Sequence, residues 1–239
     1  MSWLWREDGY ELFANRDELR TRGAARPPAI HERSGVSYIA PTDADFGGTW
    51  IATNHFGVSF CLLNRPRRRD YGNARSRGML VLDLAAEPTV QAAVEQVKQE
   101  DLRQYPPFAL AVLGPAQEPL VLEWDGDEPR VDHVEKPPYL LTSSSFDPGG
   151  VAQNRTRQFV EVRGVAFDAG SRAELMALHG SHAPEAGPYS VCMHRDDAET
   201  VSFSHVVVAG DRITFSYTSA APCQQVTPIV TRLPLASGK

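Results

Sequence analysis

Residues 10–18 read YELFANRDE. Tyr10, Leu12 and Ala14 alternate with Glu11, Phe13 and Asn15, the period of two expected of a strand with unlike faces. The run ends in Asn15-Arg16-Asp17-Glu18, an amide, a guanidinium and two carboxylates, where a turn would favour Gly or Pro. Upstream, residues 2–5 read as a partner strand. Asp8-Gly9 between them offers the positive φ of a tight hairpin. Such a hairpin returns residues 15–17 to the start of the chain. Two readings of NRDE follow. The carboxylate and amide organise a hydrogen-bonded site beside the amino terminus, or the four residues are a solvated strand end whose ion pairs are worth about 0–1 kcal/mol.

Outward from this hairpin, strands dominate the first 65 residues. Residues 36–40 form a short strand, and residues 49–53 and 58–63 pair around Asn54-His55-Phe56-Gly57. Phe60-Cys61-Leu62-Leu63 is an unbroken apolar run, as for a strand buried on both faces. Residues 65–77 read as a basic loop. A helix follows over 88–98, with Thr89 as N-cap and Ala92, Ala93, Val94 and Val97 on its apolar side. Residues 108–113, 120–124 and 131–134 read as a meander, and 139–141 as a strand ending in Thr142-Ser143-Ser144-Ser145. Helical patterns cover 154–160 and 172–179. Residues 191–194, 201–208 and 212–217 close the chain as strands. The Pro and Gly clusters at 26–28, 137–138 and 147–150 read as loops. The order is α+β with antiparallel hairpins, not βαβ alternation. With strands at both ends able to share sheets, residues 1–239 are expected to form one domain.

The 239 residues carry a formal charge of −6, with a pI near 5.6. That balance argues against a general nucleic-acid binder. No run of about 18 apolar residues is present, so no membrane span is expected. Cys61, Cys192 and Cys223 are the only cysteines. An odd count without CxxC spacing argues against a disulfide framework and points to a reducing compartment, the cytoplasm by default. Cys61 reads as inert core. The histidines show no HxH or HExxH spacing, so no metal site is expected. No dinucleotide, P-loop or GxSxG motif is present, and no cofactor is implied.

ANRDE at 14–18, GGTWIA at 47–52, GVSFCLLNR at 57–65 and SRG at 76–78 occur in the order of the NRDE, or Transport and Golgi organisation 2-like, family, and the chain resembles it over its first third. The resemblance implies the fold of N-terminal nucleophile hydrolases, a four-layer αββα sandwich of two packed antiparallel sheets. It also implies hydrolysis of, or acyl transfer from, a C–N amide bond in a small molecule. In such enzymes the first residue after Met removal attacks a carbonyl and its own α-amine, with an ordinary pKa of about 7.7–8.0, takes the proton. By resemblance Asp17 orients that amine and Asn64 donates to the oxyanion. The same fold without turnover would serve a carrier of haem, acyl-CoA or a lipid. The oligomeric state is left open.

The chain departs from the family pattern at two places. Position 2 is Ser2 where the family has Cys. Either Met1 is removed and Ser2 presents both hydroxyl and amine, or Ser2 is an interior strand residue, as in bacterial relatives in which a Cys-Thr-apolar segment precedes Ser-Trp. Ser143 stands where the wider fold has an Asn, either as a shorter polar contact or as part of a serine turn. Asn15, Arg16, Arg65, Ser143 and Arg155 are the candidate substrate-binding residues. Arg155 and Arg157 aim at an anionic substrate or lie on a helix surface. Arg65, Arg67, Arg68, Arg69, Arg75 and Arg77 form an anion-binding rim or a solvated loop.

Overall fold

The computed structural model describes residues 1–67, 69–134, 139–163 and 171–236. The strands are β1 (Ser2–Arg6), β2 (Gly9–Leu19), β3 (Arg26–Arg33), β4 (Val36–Thr42), β5 (Ile51–Asn54), β6 (Ser59–Asn64), β7 (Phe108–Leu113), β8 (Leu120–Trp124), β9 (Pro129–His133), β10 (Tyr139–Leu140), β11 (Ala198–Ala209), β12 (Arg212–Thr218) and β13 (Ile229–Pro234). The helices are α1 (Arg77–Leu84), α2 (Val90–Gln99), α3 (Pro148–Arg163) and α4 (Ser171–His179). Two antiparallel sheets result. One runs β10-β1-β2-β11-β12-β13 and the other β3-β4-β5-β6-β7-β8-β9.

Side-chain alternation builds four layers from these sheets. Trp3, Tyr10 and Leu12 of the first sheet meet Ile51, Cys61, Ala109 and Ala111 of the second. The opposite face of the second sheet, with Phe60, Leu62 and Leu110, is covered by Leu80, Leu84, Val94 and Val97 of α1 and α2. Leu4, Phe13 and Phe203 on the outer face of the first sheet meet Phe159, Leu175 and Leu178 of α3 and α4. The αββα sandwich is thus present, and Phe60-Cys61-Leu62-Leu63 divides between two cores as a doubly buried strand should. Thr89 caps α2, its Oγ1 accepting from Ala92 N at 3.0 Å. Among the described residues no helix is long and apolar enough to cross a membrane.

Several expected boundaries shift for physical reasons. The hairpin turn uses Glu7 and Asp8, because Arg6 pairs with Gly9. Gly9 has no positive φ, and its role is close approach: a Cβ there would lie 1.9 Å from the Val208 carbonyl oxygen. Residues 26–28 are not a loop but the start of β3, an edge strand, where Pro27 and Pro28 forfeit no ladder bonds a central strand would need. The basic loop runs directly into α1, and residues 148–150 open α3, Pro148 sitting where a missing N–H costs least. Residues 191–194 form no strand, only an isolated bridge between His194 and Glu199. The Pro137-Pro138 loop falls outside the described residues.

Two of the sequence motifs meet in space. Thr49 N donates to Gly78 O at 3.1 Å. A Cβ on Gly48 would stand 2.6 Å from the Gly78 carbonyl carbon. GGTW and SRG are glycine-bearing because the start of α1 is pressed onto the residues leading into β5.

Candidate active site

The β1–β2 register pairs Ser2 with Phe13 and Trp3 with Leu12. Asn15, Arg16 and Asp17 therefore run just past the first residue of the chain. Met1 and Trp3 face the second sheet, whereas Leu4 and Phe13 face the α3–α4 layer. The Met1 ammonium is buried and donates to Leu141 O at 2.8 Å. Its pKa falls from 8.0 to about 6, chiefly through burial. Nearby Arg155 lowers it further, while Cys61 and the carboxylate of Asp17 pull the other way. At neutral pH this amine is mostly uncharged and able to accept a proton.

Ser2 is fully buried, its Oγ 2.9 Å from Nε2 of His179, the last residue of α4. His179 Nδ1 lies 3.0 Å from Asn15 Oδ1. The Asn15 amide nitrogen donates to the carbonyls of His179 and Val191, both at 3.0 Å, which fixes Oδ1 toward the ring. Nδ1 must then carry the hydrogen, and Nε2 accepts from the Ser2 hydroxyl. Burial holds the imidazole pKa well below 6.5, with the Met1 amine, His205 and Arg155 adding to the effect. The result is a hydroxyl, a neutral base and an orienting amide in one line. His179 sits between Phe13 and Phe203, with ring centroids at 6.0 and 5.4 Å.

Asp17 Oδ1 accepts from Thr200 Oγ1 at 2.6 Å, and Oδ2 lies 3.7 Å from the Arg155 guanidinium. Arg155 is buried rather than displayed on a helix surface. It also donates to Ser190 O at 3.0 Å and to Thr142 Oγ1 at 3.1 Å. Arg157 is exposed and holds Asn154 Oδ1 at 2.6 Å. Arg16 points the other way, to Asp43 at 2.8 Å and over the Trp50 ring at 4.5 Å.

Asn64, Arg65 and Ser143 form a neighbouring group. Ser143 Oγ donates to the backbone carbonyl of Asn64, whose residue is exposed. Arg65 bridges Glu123 and the Thr142 carbonyl, the latter at 2.8 Å. Arg65, Pro66, Pro107, Glu123 and Trp124 line a cavity of about 430 Å³. Thr142 joins the two groups, its carbonyl taken by Arg65 and its hydroxyl by Arg155. The rest of the basic loop is largely spoken for. Arg69 pairs with Asp127, Arg75 with Asp83 and Glu100, and Arg77 donates to Pro107 O. Arg68 lies outside the described residues.

The structure thus places Ser2, Asn15, Asp17 and Arg155 around the amino terminus, Asn64, Arg65 and Ser143 beside them, and Arg16 on the opposite face. His179 escaped the sequence reading. It belongs to no motif, and a histidine closing an amphipathic helix is usually a C-terminal charge rather than a base.

Comparison with solved structures finds the same fold in amide hydrolases. The N-acylethanolamine-hydrolyzing acid amidase ortholog of Caenorhabditis elegans superposes with a TM-score of 0.62 at 15% identity, covering 87% of this chain and 92% of that one. Penicillin V acylase from Agrobacterium tumefaciens gives 0.56 at 12% identity, over 98% and 86% of the two chains. A mutant conjugated bile acid hydrolase from Clostridium perfringens gives 0.54 at 14% identity, over 98% and 92%. These identities speak for the fold, that of N-terminal nucleophile hydrolases. No curated protein sequence matches the chain. The family model described as Transport and Golgi organisation 2 matches residues 5–164, two-thirds of the length and all the motif-bearing segments, and the chain belongs to that family.

Proposed function

We propose that the protein hydrolyses, or transfers the acyl group of, a small amide through Ser2 after removal of Met1. The observation carrying this reading is the Asn15–His179–Ser2 hydrogen-bond line, whose imidazole is neutral at physiological pH. Ser2 Oγ attacks the amide carbonyl, and its proton passes to the freed α-amine of Ser2 or to His179 Nε2. The leaving amine takes that proton as the C–N bond breaks, and water then releases the acyl group. Asp17, held by Thr200 and Arg155, orients the amine. Asn64 donates to the oxyanion, and Asn15, Arg65, Ser143 and Arg155 shape the substrate site, whereas Arg16 faces away from it. The test combines intact mass with assay of an N-acyl amide panel. Loss of Met1 is expected, with Ser2→Ala abolishing hydrolysis and His179→Gln lowering kcat by about 10²–10⁴-fold. An active preparation that retains Met1, or an active Ser2→Ala, removes this mechanism.

A second reading is favoured by one feature, the complete burial of Ser2 and of the Met1 amine. A closed site suits a carrier of haem, acyl-CoA or a lipid that holds its ligand without turnover. Under that reading one of these ligands raises the melting temperature in proportion to the logarithm of its concentration, and no product appears. No thermal shift with any of the three would dispose of it.

A further inference from the structure

Away from the amino terminus, a second cluster brings together His182, Cys192, His194 and Cys223. Their donor atoms all lie within 4.8 Å of one another. His194 Nε2 is 3.6 Å from Cys192 Sγ and 3.5 Å from Cys223 Sγ. A tetrahedral zinc with Zn–S near 2.3 Å and Zn–N of about 2.0–2.1 Å sets sulfur and nitrogen about 3.6 Å apart. Both of these separations match a sulfur–nitrogen edge of such a tetrahedron, and donors as much as 4.8 Å apart would close by about 1 Å on binding the ion. The rings of His182 and His194 stand edge to face at 5.0 Å. His182 Nε2 is buried and has no hydrogen-bond partner, an unmet polar atom on a residue of the cluster. Beyond the cluster, His194 Nδ1 faces Glu199 Oε2 at 3.9 Å, as the outer nitrogen of a metal-bound imidazole commonly faces a carboxylate.

We propose that these four residues form a closed, structural site for a divalent ion of borderline softness, zinc above all. Two sulfurs and two imidazoles complete a tetrahedron and leave no position for substrate, so the site pins the fold rather than performing chemistry. It joins three segments with little secondary structure between them: the loop after α4, the segment leading to β11, and the 3-10 turn Pro222–Gln224 after β12. The middle segment supplies the Ser190 and Val191 carbonyls that hold Arg155 and Asn15. A metal there would fix those carbonyls. Spacing motifs do not register this cluster, because its donors come from separate segments and only Cys192 and His194 lie close in sequence.

The full chain, stripped with chelator and titrated with cobalt(II) and zinc(II), tests this. One ion per chain is expected, with thiolate charge-transfer and tetrahedral visible bands for cobalt. Zinc should raise the melting temperature by roughly 5–15 °C. Cys223→Ser and His194→Ala should each weaken zinc binding more than about tenfold, while Cys61→Ser leaves it unchanged. His182→Ala, a loop substitution, carries the same expectation if Cys223→Ser does not fold. A folded wild type without a cobalt spectrum, a Cys192–Cys223 disulfide seen as two lost hydrogens with no metal bound, or undiminished binding by His182→Ala would overturn the proposal.

Discussion

Glu11 shows how a charge survives inside this protein. Its side chain is fully buried under α4, where burial alone would raise its pKa. Hydrogen bonds from His205, Arg172 and Arg6 outweigh that cost and bring it down from 4.5 to about 2. The difference corresponds to about 3 kcal/mol of native stability at neutral pH. Glu11→Gln keeps the shape but leaves three donors without their anion. A loss of about 3–5 kcal/mol is expected in urea unfolding. At this scale the sequence was informative where chemistry follows a motif. Asp17 and Asn15 reach the chain's start because a two-residue turn dictates where β2 returns. It was silent on His179 and on the depth of Arg155, since both are brought in by α3 and α4 from more than a hundred residues away.

Among the elements, β2 and β11 form the longest pairing in the first sheet, and Gly9 lets the chain enter it. Gly9→Ala would drive a Cβ into the Val208 carbonyl and splay the hairpin. A destabilisation of about 2–4 kcal/mol is expected, read as a lower denaturation midpoint with unchanged slope. The strands with strict alternation, and α2 with its Thr89 cap, were legible because local pattern and burial agree. β3 was hidden by Pro27 and Pro28, which signal a loop unless the strand is known to lie at an edge. Residues 191–194 have the apolar look of a strand, yet no neighbour offers a full ladder, and their backbone groups serve Ser181, Thr200 and the Asn15 side chain of β2 instead.

For the whole molecule, two buried bases set how stability responds to acid. The unfolded Met1 amine protonates near pH 8.0, whereas the native amine resists until about 6. As pH falls through that window the unfolded chain takes up a proton that the folded one refuses, so stability falls, by about 3 kcal/mol in the chain that keeps Met1. His179, whose native pKa lies well below 6.5, extends the loss below that pH. Glu11 adds its share only between about 4.5 and 2. Stability is therefore expected to rise from pH 5 to pH 8, which urea titrations at fixed ionic strength would check. The α+β class was legible from the order of strands and helices, whereas the sandwich came with the family resemblance to which GGTW and SRG contribute. What welds those two motifs, a glycine pressed on a glycine, became visible only in three dimensions.

The last strand has a further consequence. β13 ends the first sheet and lies against β3, the border of the second, where Thr231 Oγ1 reaches Pro28 O at 3.2 Å. Each border thus shields the other from foreign chains. Cutting the polypeptide before Ile229 would bare the unpaired amides of β12 and uncover β3 together. Such a shortened protein should stick to itself, eluting early from a sizing column and seeding thioflavin-positive fibres, while the full chain stays dispersed.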